Sequence, residues 1–366
     1  MMKERRTLSF NKNDYDLLEI VNTILSRTKN SRQISKLFDP YLHPRGIKEM
    51  AAPKSSRIAY AMVELLGTLE KGTAQDRTMA LRVMIAETLH ASDQKLQRNI
   101  ARVLIEIMKA LIRAHGDEGR QLALAHDFHK ACSGKPRLIR KLLNEYQLLE
   151  MPEAWNHLAF DHHVHDDSTK GRKTPTHLIM DAWIKGVQFL GVIYYNFIRP
   201  EVVSELLEAA EIMGVEIRVG IEFSARLEDK FANFVWAPRG FHGREDFLKF
   251  LAAPSVSEFM EQGRVVSEYR KTFILERLQR FNRDHLPGIN NEYGLSVPPL
   301  DETKFLDFIG RAQASLVHLA EFAHKALLQE LHRRVDELSR KLEQAGEDER
   351  EKYYKLVASM DSLVPE

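Results

Sequence analysis

The pattern of apolar residues changes at Met151-Pro152, and that change limits the fold more than any other feature of the chain. Before it, apolar residues recur only at helical spacing. Ile100, Val103, Leu104, Ile107, Met108 and Leu111 mark one helix, with Ser92 as its expected cap and Gly116 at its end. A second helix is predicted from Glu118 to Ala131, stopped by Gly134. A third starts at Pro136 and carries Leu138, Ile139, Leu142, Leu143 and Leu149. Tyr15–Leu25, Ile58–Leu69 and Thr78–Leu89 have the same character. Short connections between amphipathic helices favour antiparallel neighbours in a bundle or a solenoid-like stack, with no repeat of fixed period visible.

After Met151-Pro152 short apolar runs alternate with helical ones. Leu158–His165, Gln188–Tyr195, Val215–Phe223 and Phe231–Trp236 are predicted strands, with helices over Thr176–Gly186 and Pro200–Met213. Strand-helix-strand at this spacing argues for parallel strands joined by right-handed crossovers. Beyond Trp236 strand-like sequence gives out. Gly240–Leu286 is mainly helical, a Pro/Gly/Asn loop runs to Pro299, and Lys304–Leu342 is helical again. The expected division is a helical domain over 1–150, an α/β domain over 151–330 and a C-terminal helical segment over 331–366.

Composition narrows the class. Of 366 residues, 44% are hydrophobic and 29% charged, enough for globular cores and unlike a disordered chain. A net charge of +1 gives no overall pull toward nucleic acid or membrane. No apolar stretch approaches the ~20 residues of a membrane span, and no run of signal-peptide length follows the basic start. One cysteine, Cys132, excludes an intrachain disulfide and a thiolate metal cluster. A cytoplasmic protein is expected.

The chemistry is concentrated in Asp161-His162-His163-Val164-His165-Asp166-Asp167. Alternation along a strand puts Asp161, His163 and His165 on one face, at the end of the strand, where sites form in parallel α/β folds. Two imidazoles at this spacing suit Zn, Mn or Fe. A polar strand end bonded to a loop is the simpler reading of the same residues. Lys170, Arg172 and Lys173 make a basic loop alongside, either a phosphate-binding feature or a solvated turn.

The order of the segments after His165 carries a resemblance. Ten residues beyond it stands Pro175, preceded by Thr174. Then come the strand Phe189-Leu190-Gly191-Val192-Ile193, Tyr194-Tyr195-Asn196, and Val219-Gly220-Ile221-Glu222-Phe223-Ser224. This arrangement resembles the PHP superfamily of polymerases and histidinol phosphatases: a strand ending Asp-x-His-x-His, Thr-Pro before a helix, and a strand ending Gly-x-Glu. It is clearest over Leu158–Ser224 and extends weakly to about residue 320, through Tyr269–Phe281 and Gly310-Arg311.

The resemblance implies a fold class of α/β type: an all-helical N-terminal domain, then a partial, distorted PHP-like (β/α) barrel with a helical insertion and a C-terminal helix. It implies a metal-dependent phosphoesterase (hydrolase) acting on a phosphorylated small molecule or a nucleic-acid phosphodiester. A divalent metal (Mn, Zn or Fe) is the implied cofactor. His163 and His165 match the first two histidine ligands and Glu222 the glutamate ligand. Asp161, Asp166 and Asp167 are candidate supporting carboxylates. Lys170 stands where an aspartate belongs, Tyr194 and Tyr195 stand where Asp-His belongs, and Gln313 replaces a histidine. The alternative is therefore a catalytically degenerate PHP-like domain serving as a binding or structural module. The strands visible are fewer than the family barrel needs, so the chain is either a piece of a longer protein or closes differently.

Three further features have plain structural readings. Leu331, Val335, Leu338 and Leu342 are spaced for self-association through the C-terminal helix or for packing on their own domain. His126 and His129 are expected as exposed polar residues. Trp155, Trp183 and Trp236 are expected in the core.

Overall fold

The structure is a computed structural model. It describes residues 10–26, 53–89, 96–151, 159–341 and 346–363. The chain is mostly helical, with one small curled four-stranded sheet. It divides into two compact units. One comprises residues 1–167, 171–194 and 198–253, and the other residues 168–170, 195–197 and 254–366. The division expected from sequence follows the type of secondary structure, whereas these units follow packing.

In the first unit the helices are α1 (Lys12–Leu25), α2 (Lys54–Lys71), α3 (Ala74–Thr88), α4 (Gln97–Arg113), α5 (Glu118–Cys132) and α6 (Pro136–Glu145). Capping boxes start two of them. Asn11 and Asp14 bond reciprocally at α1, as do Thr73 and Asp76 at α3. Leu96, with φ 78°, precedes α4, and Ser92, the expected cap, lies outside the described residues. α4 is buried along most of its length, from Asn99 to Leu111. Its Arg102 sits in the apolar stripe, and its guanidinium donates to the Ile184 carbonyl at 2.5 Å and the Leu149 carbonyl at 2.8 Å. Burial lowers its pKa to about 10. α6 ends at Glu145, so Leu149 is not part of its apolar face but 80% exposed.

The α/β part of this unit runs β1 (Phe160–Val164), α7 (Pro175–Lys185), β2 (Phe189–Tyr195), α8 (Pro200–Met213), β3 (Glu216–Leu227), β4 (Lys230–Trp236) and α9 (Arg244–Leu251). The strand order is β1-β2-β3-β4. β1 is parallel to β2, and β3 and β4 form an antiparallel hairpin. Pro175 and Pro200 open their helices at positions where the missing N–H is no loss, and Gly186 and Gly214 close them at φ 83° and 65°. α8 packs on α7, α3 and β3. A buried ion pair fixes that junction. Arg77 of α3 binds both carboxylate oxygens of Glu205 of α8, at 2.7 and 2.6 Å, and Thr176 of α7 donates to the same carboxylate at 2.8 Å. Burial by itself would raise the Glu205 pKa, but Arg77 and Thr176 outweigh it and hold the carboxyl below its ordinary value.

Two of the three tryptophans can be placed. Trp183 is in the core. Trp236, expected there, is 37% exposed because it lies on β4, the last strand of the sheet. Trp155 lies outside the described residues. His126 and His129 are half-buried rather than exposed. His126 Nδ1 lies 3.1 Å from the buried Asp14 carboxylate, and His129 Nε2 lies 2.8 Å from the Asn13 carbonyl.

The second unit is built from α10 (Pro254–Arg280), a π-helical turn (Phe281–His285), α11 (Leu286–Tyr293), α12 (Glu302–Ile309), α13 (Leu316–Lys341) and α14 (Glu347–Leu363). Ile274, Leu278, Phe305, Leu319, Leu331 and Leu356 form its core. The stretch expected as a Pro/Gly/Asn loop is helical up to Tyr293, because Pro287 falls in the first turn and Gly294 ends the helix at φ 61°. Asn290 and Asn282 then bond the backbone of Val297 and Leu300 and hold the loop beyond that helix. The helix expected over Lys304–Leu342 is broken after Ile309 by Gly310, whose φ is 55°. Leu331 is buried in this core, Val335 and Leu338 pack against it, and Leu342 lies outside the described residues. No helix of the described residues is long and apolar enough to cross a membrane.

Candidate metal centre

β1 is irregular where the histidines stand. Phe160 pairs with Phe189 and Asp161 with Leu190, but Val164 pairs with Val192, so three steps along β1 meet two along β2. This is a bulge, which turns the chain and re-aims side chains. Asp161 shapes it, since its Oδ1 accepts the His163 amide at 3.1 Å. Gly191 of β2 makes room for it. A Cβ at Gly191 would sit 2.2 Å from the His162 carbonyl oxygen. Regular alternation therefore does not describe this segment, although His163 and His165 still end side by side, their ring centroids 4.9 Å apart.

The third member comes from β3. Glu222 lies opposite Val235, and its Oε2 is 3.4 Å from His163 Nε2. His163, His165 and Glu222 each offer one ligand atom, all within 4.8 Å of one another. His163 is 47% and Glu222 25% exposed at the side chain, so the cluster opens to solvent. His165 is the fixed member. Its Nδ1 lies 2.7 Å from the Ile193 carbonyl of β2. A carbonyl can only accept, so Nδ1 carries a proton, and in the neutral ring Nε2 is then the nitrogen that can bind a metal. Metal-binding histidines are commonly held this way.

The set fits a divalent ion. Two ligand atoms about 2.1 Å from an ion in a tetrahedral shell lie roughly 3.4 Å apart. The His163–Glu222 separation of 3.4 Å already has that value. The three ligand atoms all lie within 4.8 Å of one another, and His163 stands half-exposed at the open side of the cluster. Three protein donors with open positions is the arrangement of catalytic sites rather than closed structural ones.

The other expected site residues have different roles. Asp161 is exposed and engaged with the His163 amide. Asp166 is fully buried and accepts the Tyr194 hydroxyl at 2.7 Å. Burial, reinforced by Asp166, raises the Tyr194 pKa well above its ordinary value, so the phenol remains a donor at neutral pH. Asp167 is half-buried, its amide donating to the Lys173 carbonyl at 2.9 Å. The Lys173 ammonium is committed to Asp181, which also takes Lys109 at 2.9 Å. Burial would raise the Asp181 pKa, but the two lysines prevail and lower it. Arg172 is exposed. Lys170, in the second unit, has its Nζ 5.4 Å from the Tyr195 ring centroid. In that unit too, Gln313 Nε2 donates to the Tyr195 carbonyl at 2.6 Å.

Sequence reasoning missed the supports of this site: the Ile193 carbonyl, the Gly191 contact and the Tyr194–Asp166 bond. A glycine inside an apolar strand was the available signal for the second. In comparisons with known proteins, no family model, no curated protein and no solved structure matches the chain.

Proposed function

We propose that this chain is a metal-dependent phosphoesterase of PHP type, with His163, His165 and Glu222 as the protein ligands of a divalent ion (Mn, Zn or Fe). One observation carries the reading. His163 of β1, His165 immediately after that strand and a carboxylate from β3, the two strands being separated by β2, bring ligand atoms within 4.8 Å of one another. The sequence likeness to the PHP pattern supplies the reaction class.

A bound divalent ion lowers the pKa of water and offsets charge on phosphoryl oxygens. The chain's own residues provide the rest. His165 presents Nε2 in a fixed tautomer because Nδ1 is held by the Ile193 carbonyl. The bulge, held by Asp161 and admitted by Gly191, aims His163 toward Glu222. Glu222 contributes the anionic donor and leaves the solvent side open for a phosphate ester.

The test is hydrolysis of p-nitrophenyl phosphate and bis(p-nitrophenyl) phosphate with added Mn, Zn or Fe. Turnover should depend on the ion and be abolished by His165→Ala. Activity indifferent to that substitution would defeat the proposal. A second reading, a degenerate binding module, is favoured by the buried Tyr194–Asp166 pair, in which a tyrosine takes the place of an expected ligand. A binding module of that kind should take up metal without turnover on either substrate.

A further inference from the structure

The strand ends opposite the metal centre hold a second concave site. Phe189, at the start of β2, lies four residues before Ile193, about 13 Å along the strand. The connection from β4 to α9 crosses this end of the sheet, and Gly240, at φ 93°, turns it in a backbone conformation that other residues rarely adopt. Between this connection, α8 and the start of β3 lies a cavity of about 520 Å³. That is within the range of small-molecule sites. Phe189, Leu207, Phe241 and Phe247 supply apolar wall.

Its charged groups are only partly paired off. Arg218 is half-buried, its guanidinium carbon 5.0 Å from the Phe189 ring centroid. Neither Arg218 nor Arg239 makes an ion pair among the described residues, and both line the cavity. Arg244 also lines it but is held by Glu208 at 2.6 Å. Two carboxylates, Glu211 and Glu216, line it without an ion-pair partner among the described residues. An isolated anion would meet both signs of charge here. A molecule that carries both an anionic group and N–H donors matches the lining.

We propose that this cavity binds a small organic ligand made of a phosphate joined to a flat, N–H-bearing ring, with a nucleoside monophosphate as the simplest member of the class. Arg218 and Arg239 receive the phosphate, since guanidinium forks match its oxygens. The phenylalanines take the ring by apolar and stacking contact. Glu211 and Glu216 accept the ring's N–H groups. None of the metal ligands takes part, so this site stands apart from the phosphoesterase reading.

Calorimetric titration of the full chain in EDTA, with adenosine monophosphate, adenosine and inorganic phosphate as probes, tests it. The expected result is saturable binding of the nucleotide at one per chain, with both fragments weaker. Arg218→Ala/Arg239→Ala should weaken the nucleotide about tenfold or more. His163→Ala/His165→Ala should leave it unchanged. Arg239 is exposed, so Arg239→Glu gives a charge-reversal test that does not depend on the half-buried Arg218. Three results would each overturn the proposal: no saturable nucleotide binding up to millimolar concentration, binding that survives both the double and the charge-reversal variants, or adenosine binding as tightly as its monophosphate.

Discussion

Gly191→Ala tests how the sheet builds the metal centre. The new Cβ would lie 2.2 Å from the His162 carbonyl oxygen and 2.7 Å from its carbon, where real Cβ atoms are essentially never nearer than 3.0 Å. Both atoms are backbone, so no side chain can turn away. β1 and β2 must part by about 1 Å, at a cost of roughly 2–3 kcal/mol for overpacking. The same movement pulls His165 from the Ile193 carbonyl, now 2.7 Å away, and shifts both histidines relative to Glu222. Urea unfolding followed by circular dichroism should therefore show a loss of that size. Zinc affinity of the folded protein should fall about tenfold or more, the range seen when groups supporting a ligand are disturbed. Gly67→Ala is the internal control. A Cβ there meets nothing within 4 Å in the middle of α2, so it should be neutral or stabilise by up to about 1 kcal/mol. If Gly191→Ala left both stability and zinc affinity at wild-type values, the close approach of the two strands would be wrong.

Other outcomes follow from the buried groups. The Glu205 pKa is lowered on folding, so its contribution to stability is present above the unfolded value of about 4.3 and is lost as pH falls through the folded value. Urea unfolding between pH 3 and 7 should show that acid loss in wild type and a smaller one in Glu205→Gln. At neutral pH Glu205→Gln should cost about 3 kcal/mol, because Arg77 stays buried without its charge partner. Tyr194→Phe removes a donor to the buried Asp166 and should cost about 1–3 kcal/mol in the same assay, with an unchanged unfolding midpoint as the contrary result. Burial pushes the Cys132 thiol up to about 12, against the opposing pull of Lys54, so it should react with a disulfide reagent at pH 8 far more slowly in the native chain than in urea. Equal rates would show that this thiol is not shielded.

Local pattern made part of the fold legible in the sequence. The four strand-like runs correspond to the four strands, and apolar periodicity located α1 to α6, because burial of one face imposes the 3.6- or 2-residue repeat. His163, His165 and Glu222 were legible as a set through the family-like order of segments, and the strands bring them together. The features that escaped depend on contacts distant in sequence. The bulge in β1 comes from Gly191 and the Asp161 side chain, not from the alternation of β1 itself. Trp236 is exposed because of its strand's place in the sheet, which composition cannot reveal. Helix α11 forms because Pro287 falls in a first turn, and the same residue would have broken the helix one turn later. Arg102 reads as an interruption of an apolar stripe, yet it is buried because carbonyls of Ile184 and Leu149 come to meet it.

The most direct test of the metal centre is the metal content of the purified chain, measured by elemental mass spectrometry beside a His163→Ala/His165→Ala control. About one Mn, Fe or Zn per chain, lost in the control, is the expected result. No bound metal, even after incubation with excess ion, would contradict a metal centre at these residues.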